Sequence, residues 1–240
     1  MFNNLPPALK NLLIINTLIF VGAALLQSTG FDVNEMFGLH YFQAEKFHFF
    51  QLVSYMFLHA NFQHLFFNMF GLFMFGRILE QVWGSQRFLL FYFVTGIGAG
   101  LVQEAVQLIE LRPAIQEING LIANMPSGGV NVGGDLITSR DGLLEFKTHM
   151  LNRFVTIGAS GAVYGVLLAF GMLFPNTEMF IMFIPIPIKA KYMVIAYGLI
   201  ELTSGIAGTG GGVAHFAHLG GMLFGFFLIR YWRKHTNNYY

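Results

Sequence analysis

Cysteine is absent from this 240-residue chain, which excludes a disulfide framework, a thiolate nucleophile, an iron–sulfur cluster and a Cys-ligated zinc. Charge is scarce as well: 10% of the residues are Asp, Glu, Lys or Arg, against roughly 25% in an ordinary soluble domain. The 13 Lys and Arg nearly cancel the 12 Asp and Glu, for a net charge of +1. No electrostatic surplus is left to hold a polyphosphate backbone, so nucleic acid is not an expected partner. What the chain has instead is apolar bulk, with 55% hydrophobic residues, 28 Phe and 28 Gly. Large apolar side chains facing lipid, and small residues where backbones approach, make the composition of packed membrane helices. The expectation is a single all-α polytopic domain over residues 1–240, seated in a lipid bilayer.

A helix needs about 20 apolar residues to cross the ~30 Å hydrocarbon layer. Six segments qualify as spans: residues 11–27, 54–76, 88–109, 157–174, 191–203 and 214–232. The fifth is placed after the FIMFIPIPIK stretch, where Pro185 and Pro187 each remove a backbone donor and oppose a continuous helix. Six spans put both termini on one side. Lys10, Arg77, Arg87, Lys189, Lys191, Arg230, Arg233 and Lys234 then share that side, and the positive excess predicts that both ends are cytoplasmic. Two outer loops are long, residues 28–53 and 112–156. The second reads as an extramembrane insertion of two amphipathic helices lying at the interface. One starts at Pro113 and carries Ile115, Ile118, Leu121 and Ile122; the other opens at Thr138-x-x-Asp141, beyond a Gly-rich break.

Polar side chains inside such spans are costly and ask for an explanation. In HANFQHLFFN, His64 and Asn68 are four apart and project from one helical face, able to donate to a common point, while His59 stands at the outer start of the same helix. In IGASGAVYG, Ser160 falls where a helix should begin, among free N–H groups that suit a developing oxyanion, with Tyr164 one turn below. Gly161 and Gly165 form a GxxxG packing surface. In AHFAHLGGMLFG, Gly221 and Gly225 lie at +3 and +7 from His218, so the imidazole and two bare backbone patches share one stripe. His215 falls off that stripe and is the weaker candidate.

A hydroxyl, an imidazole and neutral donors make up the nucleophile, general base and oxyanion hole of acyl transfer. No acidic residue adjoins Ser160 or His218 in the sequence. The expectation is therefore a Ser–His dyad whose imidazole is oriented by packing on the Tyr164 ring rather than by a carboxylate. A histidine-ligated metal or haem site built from His59, His64, His215 and His218 is the competing chemistry. It sets His59 and His64, five apart, on different helical faces and leaves the Gly-x-Ser-Gly unexplained, so no metal and no cofactor are expected.

Taken together these residues resemble the rhomboid intramembrane serine proteases. The resemblance rests on His59, His64 and Asn68 as HxxxxHxxxN, Gly158, Ser160 and Gly161 as GxSG, Tyr164 at +4, and His218, Gly221 and Gly225 as HxxGxxxG. Glu80, Trp83 and Gly84 as ExxWG, and the stretch from Phe174 to Lys189, are similar to bacterial members. The match covers a core of about 50–232. It implies a six-helix bundle in the bacterial inner membrane, with Ser160 as nucleophile, His218 as base, and His64, Asn68 and the Ser160 amide as oxyanion donors. It also implies a water-filled cavity that opens outward beneath a cap at 205–213, and a substrate that is a single-pass membrane protein cut in its transmembrane segment. A non-catalytic rhomboid-like chaperone or binding protein is the alternative, although such relatives usually lack the serine or the histidine. The family's frequent Trp-Arg pair in the first outer loop falls here on Phe50-Gln51, and the insertion at 112–156 is unlike the compact members.

Overall fold

The computed structural model describes residues 5–132, 134–181, 184–209 and 213–235. Helix occupies the greater part of each predicted span. The chain opens with α1 (Pro7–Gln27), which Pro7 can start because the first turn has no use for its missing N–H. The outer loop that follows holds the short helix α2 (Val33–Phe37), the strand β1 (Leu39–His40) and α3 (Gln51–Ser54). The second span starts later than expected. A 3-10 turn at Tyr55–Phe57 and an extended Leu58 interrupt it, and α4 (Phe62–Gly71) begins only where the Asn61 side chain accepts the His64 amide at 2.8 Å. It continues through a π-helical turn, Leu72–Gly76, into α5 (Arg77–Trp83).

α6 (Ser85–Ala123) corrects a second expectation, because Pro113 lies inside it rather than at the start of a separate interfacial helix. At 1.5 Å per residue the helix is roughly 58 Å long, far more than a bilayer needs. Pro113 sits in the overhanging part, where the carbonyl it leaves without a helical partner can bond water. The Gly-rich break forms the hairpin β2 (Val130–Val132) and β3 (Asp135–Ile137). The next helix, α7 (Arg140–Asn152), is capped by Ser139 rather than by Thr138. Strand β4 (Val155–Thr156) pairs antiparallel with β1 and leads directly into α8 (Ser160–Leu173). The Pro-rich stretch is a hairpin, β5 (Glu178–Ile181) and β6 (Ile184–Lys189), and α9 (Ala190–Ala207) and α10 (His215–His235) complete the chain.

α1, Phe62–Trp83 and α6 are each long and apolar enough to cross a membrane by themselves. α8 is shorter but buried along most of its length, so it answers to its protein neighbours rather than to lipid. Its neighbours on two sides are α6 and α10, packed through small residues. A Cβ on Gly165 would stand 2.7 Å from the Cβ of Thr95 on α6, and one on Gly221 of α10 would overlap the Gly161 carbonyl. Without a hydrophobic force between helices in lipid, this close approach supplies the dispersion that holds the three together.

Glu80, just before the turn at Gly84, fastens α1 to this core. Its carboxylate accepts the backbone N–H groups of Ala8 at 2.9 Å and Leu9 at 2.7 Å, and the Ser85 hydroxyl at 2.6 Å. Free donors at a helix N-terminus favour an anion there.

Candidate active site

Ser160 is the first residue of α8, and the backbone leading to it is held from outside the helix. The Gly158 amide donates to the Tyr55 carbonyl at 2.9 Å, and the Tyr55 hydroxyl donates to the Gly96 carbonyl of α6 at 2.6 Å. Gly158 adopts φ +132°, a conformation that side chains oppose. A Cβ there would lie 2.8 Å from His64 Nε2 and 3.6 Å from Ser160 Oγ. The glycine thus leaves open the small space between the serine hydroxyl and the His64 ring.

The close contact of α10 with α8 brings His218 to the serine. His218 Nε2 stands 2.7 Å from Ser160 Oγ, and its ring lies flat on Tyr164, with centroids 4.3 Å apart and planes 7° from parallel. His215, the weaker candidate, does not reach the serine; its Nε2 faces the Thr209 carbonyl at 2.8 Å. Across the space, the Ala60 amide donates to His64 Nδ1 at 3.4 Å. A neutral His64 then carries its hydrogen on Nε2, the atom that faces Gly158. Asn68 is buried, and one of its two amide hydrogens is directed to the His64 carbonyl at 2.9 Å. His59 is also buried, its ring centroid 5.1 Å from that of His64, with no hydrogen-bond partner for either nitrogen among the described residues. It lies in the loop before α4 rather than at the start of that helix, and packs against His64. The expected cap at 205–213 includes residues 210–212, which lie outside the described residues.

The sequence placed no carboxylate beside the imidazole, but in the structure Glu201 of α9 has Oε2 2.9 Å from His218 Nδ1, with no hydrogen bond between them because the oxygen lies off the axis of a straight N–H bond. The same oxygen lies 2.6 Å from His215 Nδ1, and Oε1 accepts the Tyr164 hydroxyl. Adjacency in sequence was the wrong criterion, since Glu201 is 17 positions from His218 and meets it only through the packing of α9 on α10. The available signal was a lone carboxylate in the middle of an apolar span. Glu201, His215 and His218 are also close enough to share a cation, but their ligand atoms already face one another. This is not the four-histidine set considered from sequence.

A second residue the sequence left without a role is Gln51. It is fully buried and uses its whole amide on the first outer loop. Oε1 accepts the backbone N–H of His40 at 3.3 Å and of His48 at 3.1 Å, while Nε2 donates to the carbonyls of Met36 at 3.2 Å and Lys46 at 2.9 Å.

A helical membrane bundle with a serine at a helix start and a histidine from a neighbouring helix on its hydroxyl defines the class to which the molecule is compared. The family model described as "Rhomboid domain" matches residues 46–110 and 130–235, and the chain belongs to the rhomboid family. It is 26% identical over 225 residues to "Rhomboid-like protein 11, chloroplastic" of Arabidopsis thaliana, covering 91% of this chain and 62% of that protein. It is 28% identical over 111 residues to "Rhomboid protease GlpG" of Haemophilus influenzae, covering 45% of this chain and 56% of that protein. The chain thus spans less than two thirds of the length of either relative. Family and helices together make it an integral membrane protein.

Proposed function

We propose that the chain is an intramembrane serine endopeptidase that cleaves the transmembrane segment of single-pass membrane proteins. The observation that carries this reading is the 2.7 Å approach of His218 Nε2 to Ser160 Oγ within a rhomboid bundle. In the proposed reaction Oγ attacks the scissile carbonyl carbon and its proton passes to His218 Nε2. The imidazolium then protonates the leaving amine, and His218 next takes a proton from the water that hydrolyses the Ser160 ester. The tetrahedral oxyanion is met by the Ser160 amide at the free start of α8, by His64 Nε2–H, and by the second amide hydrogen of Asn68. Ser160, His64 and Tyr164 are each partly exposed, which supports a site that water and substrate can reach. The excess of Lys and Arg at the two ends of the chain and in the turns on their side favours a topology with both termini cytoplasmic, and the likeness to a bacterial rhomboid protease supports a bacterial inner membrane.

The test is a fluorophosphonate probe, which reacts only with an activated serine. The purified protein should be labelled at Ser160 and should cleave a helical transmembrane substrate, and Ser160→Ala should abolish both while remaining folded. Cleavage retained by Ser160→Ala would remove the protease reading. An unlabelled, inactive but folded parent would instead fit a non-catalytic rhomboid-like binding protein.

A further inference from the structure

We propose that Glu201 is a positioning residue for His218, so that the reacting pair works as a Ser160–His218–Glu201 relay; the proposal rests on the protease reading above. To accept the serine proton on Nε2, a neutral His218 must keep its own hydrogen on Nδ1. The His218 side chain is only 10% exposed, and the acceptor standing 2.9 Å from Nδ1 is Glu201 Oε2. The carboxylate therefore selects the productive tautomer, holds the ring toward Ser160, and offsets the imidazolium charge that forms when the proton arrives. The off-axis placement of Oε2 suits a resting site, where such bonds are often poorly aligned until substrate is bound.

Glu201 is itself fixed. The Tyr164 hydroxyl holds Oε1, and His215 stands beside Oε2 with Nδ1 2.6 Å away and Nε2 2.8 Å from the Thr209 carbonyl, a neutral ring donating to one of these two acceptors. Tyr164 has two tasks, its ring lying under the His218 imidazole and its hydroxyl on the carboxylate that faces the same imidazole. A carboxylate within a membrane span is expensive. Joining α9 to its neighbours could be done by apolar contacts at lower cost, whereas setting a tautomer needs an acceptor. During acylation only the Oγ proton moves, to Nε2; the Nδ1 hydrogen stays on the ring and Glu201 stays ionised.

The experiment measures fluorophosphonate labelling and cleavage of a helical transmembrane substrate by the full chain in detergent, for the parent and for Glu201→Gln. Folded Glu201→Gln should lose about 10- to 10³-fold in kcat and in labelling rate, with KM within about twofold of the parent. A kcat within about threefold of the parent overturns the proposal, as does a loss that appears in KM or that tracks the folded fraction. If Glu201→Gln does not fold, Glu201→Ala decides. Formate supplied to its vacated site should raise the labelling rate where chloride at equal ionic strength does not, and no difference between the two overturns the proposal. A parent that is not labelled at Ser160 removes the protease reading and this one with it. A parent that is labelled, beside a Gln variant labelled as fast, removes only the role of Glu201.

Discussion

Gln51 is fully buried, and its neutral amide makes four directed bonds inside the first outer loop. Both acceptor positions and both donors are used on backbone groups drawn from α2, β1 and the turn before α3. Gln51→Leu is isosteric enough to fill the space but strands those four groups. It should destabilise the folded protein by about 2–3 kcal/mol, read as a lowered thermal midpoint in detergent. Gln51→Glu keeps the two acceptor bonds but turns a buried carboxylate oxygen toward the Met36 and Lys46 carbonyls, and should lower the midpoint at least as far. Gln51 was not legible in the sequence, and Glu201 showed there only as a lone carboxylate in an apolar span, because the worth of each depends on groups from elements that meet only in the folded chain. Ser160, His64 and His218 were legible for the opposite reason. Each sits on a helix beside glycines or polar residues at helical spacing, so the sequence displays their faces even though it does not show that those faces meet.

At the scale of elements, the existence of the helices followed from apolar length, while their ends were set by local chemistry that hydropathy does not register. α4 starts at Phe62 because Asn61 caps it, and α6 runs on through Pro113 to Ala123, where hydropathy alone would have ended it. The stripe Gly221–Gly225 was read as a surface for a small-residue helix, and α8 is that helix. A Cβ on Gly221 overlaps the Gly161 backbone rather than a movable side chain, so Gly221→Ala must push α10 from α8 and draw His218 away from Ser160. A displacement near 1 Å costs on the order of 10²-fold in rate, and we expect that loss in fluorophosphonate labelling. Gly198→Ala on α9, where the nearest atom would be the flexible end of Met222 at 3.5 Å, should leave labelling unchanged. Glu80 tests a different joint. Glu80→Ala frees two α1 backbone donors and the Ser85 hydroxyl, for an expected loss of about 2–3 kcal/mol in stability, seen in thermal unfolding.

Across the whole molecule, the insertion divides into a part that supports the site and a part that does not. Strand β4, which leads into Gly158 and Ser160, pairs with β1 of the first outer loop. The Tyr41 amide just beyond β1 donates to the Phe154 carbonyl at 3.1 Å. Tyr41, Ala44, Leu111 and Leu151 form a separate apolar cluster that joins that loop, the overhang of α6 and the end of α7. Through it the insertion braces the backbone entering Ser160. Leu151→Ala should therefore cost about 2–4 kcal/mol in stability and also slow labelling of Ser160. Among the described residues the β2–β3 hairpin pairs with itself and with no other strand. Arg140 at the start of α7 already reaches the Ala123 carbonyl at the end of α6, at 3.1 Å, so the two helix ends are adjacent without the hairpin. Replacing residues 127–137 by a short Gly-Ser link changes the closure entropy little, and labelling should stay within about twofold of the parent. A large loss in that variant, with the Leu151→Ala protein unaffected, would reverse the assignment of the two halves.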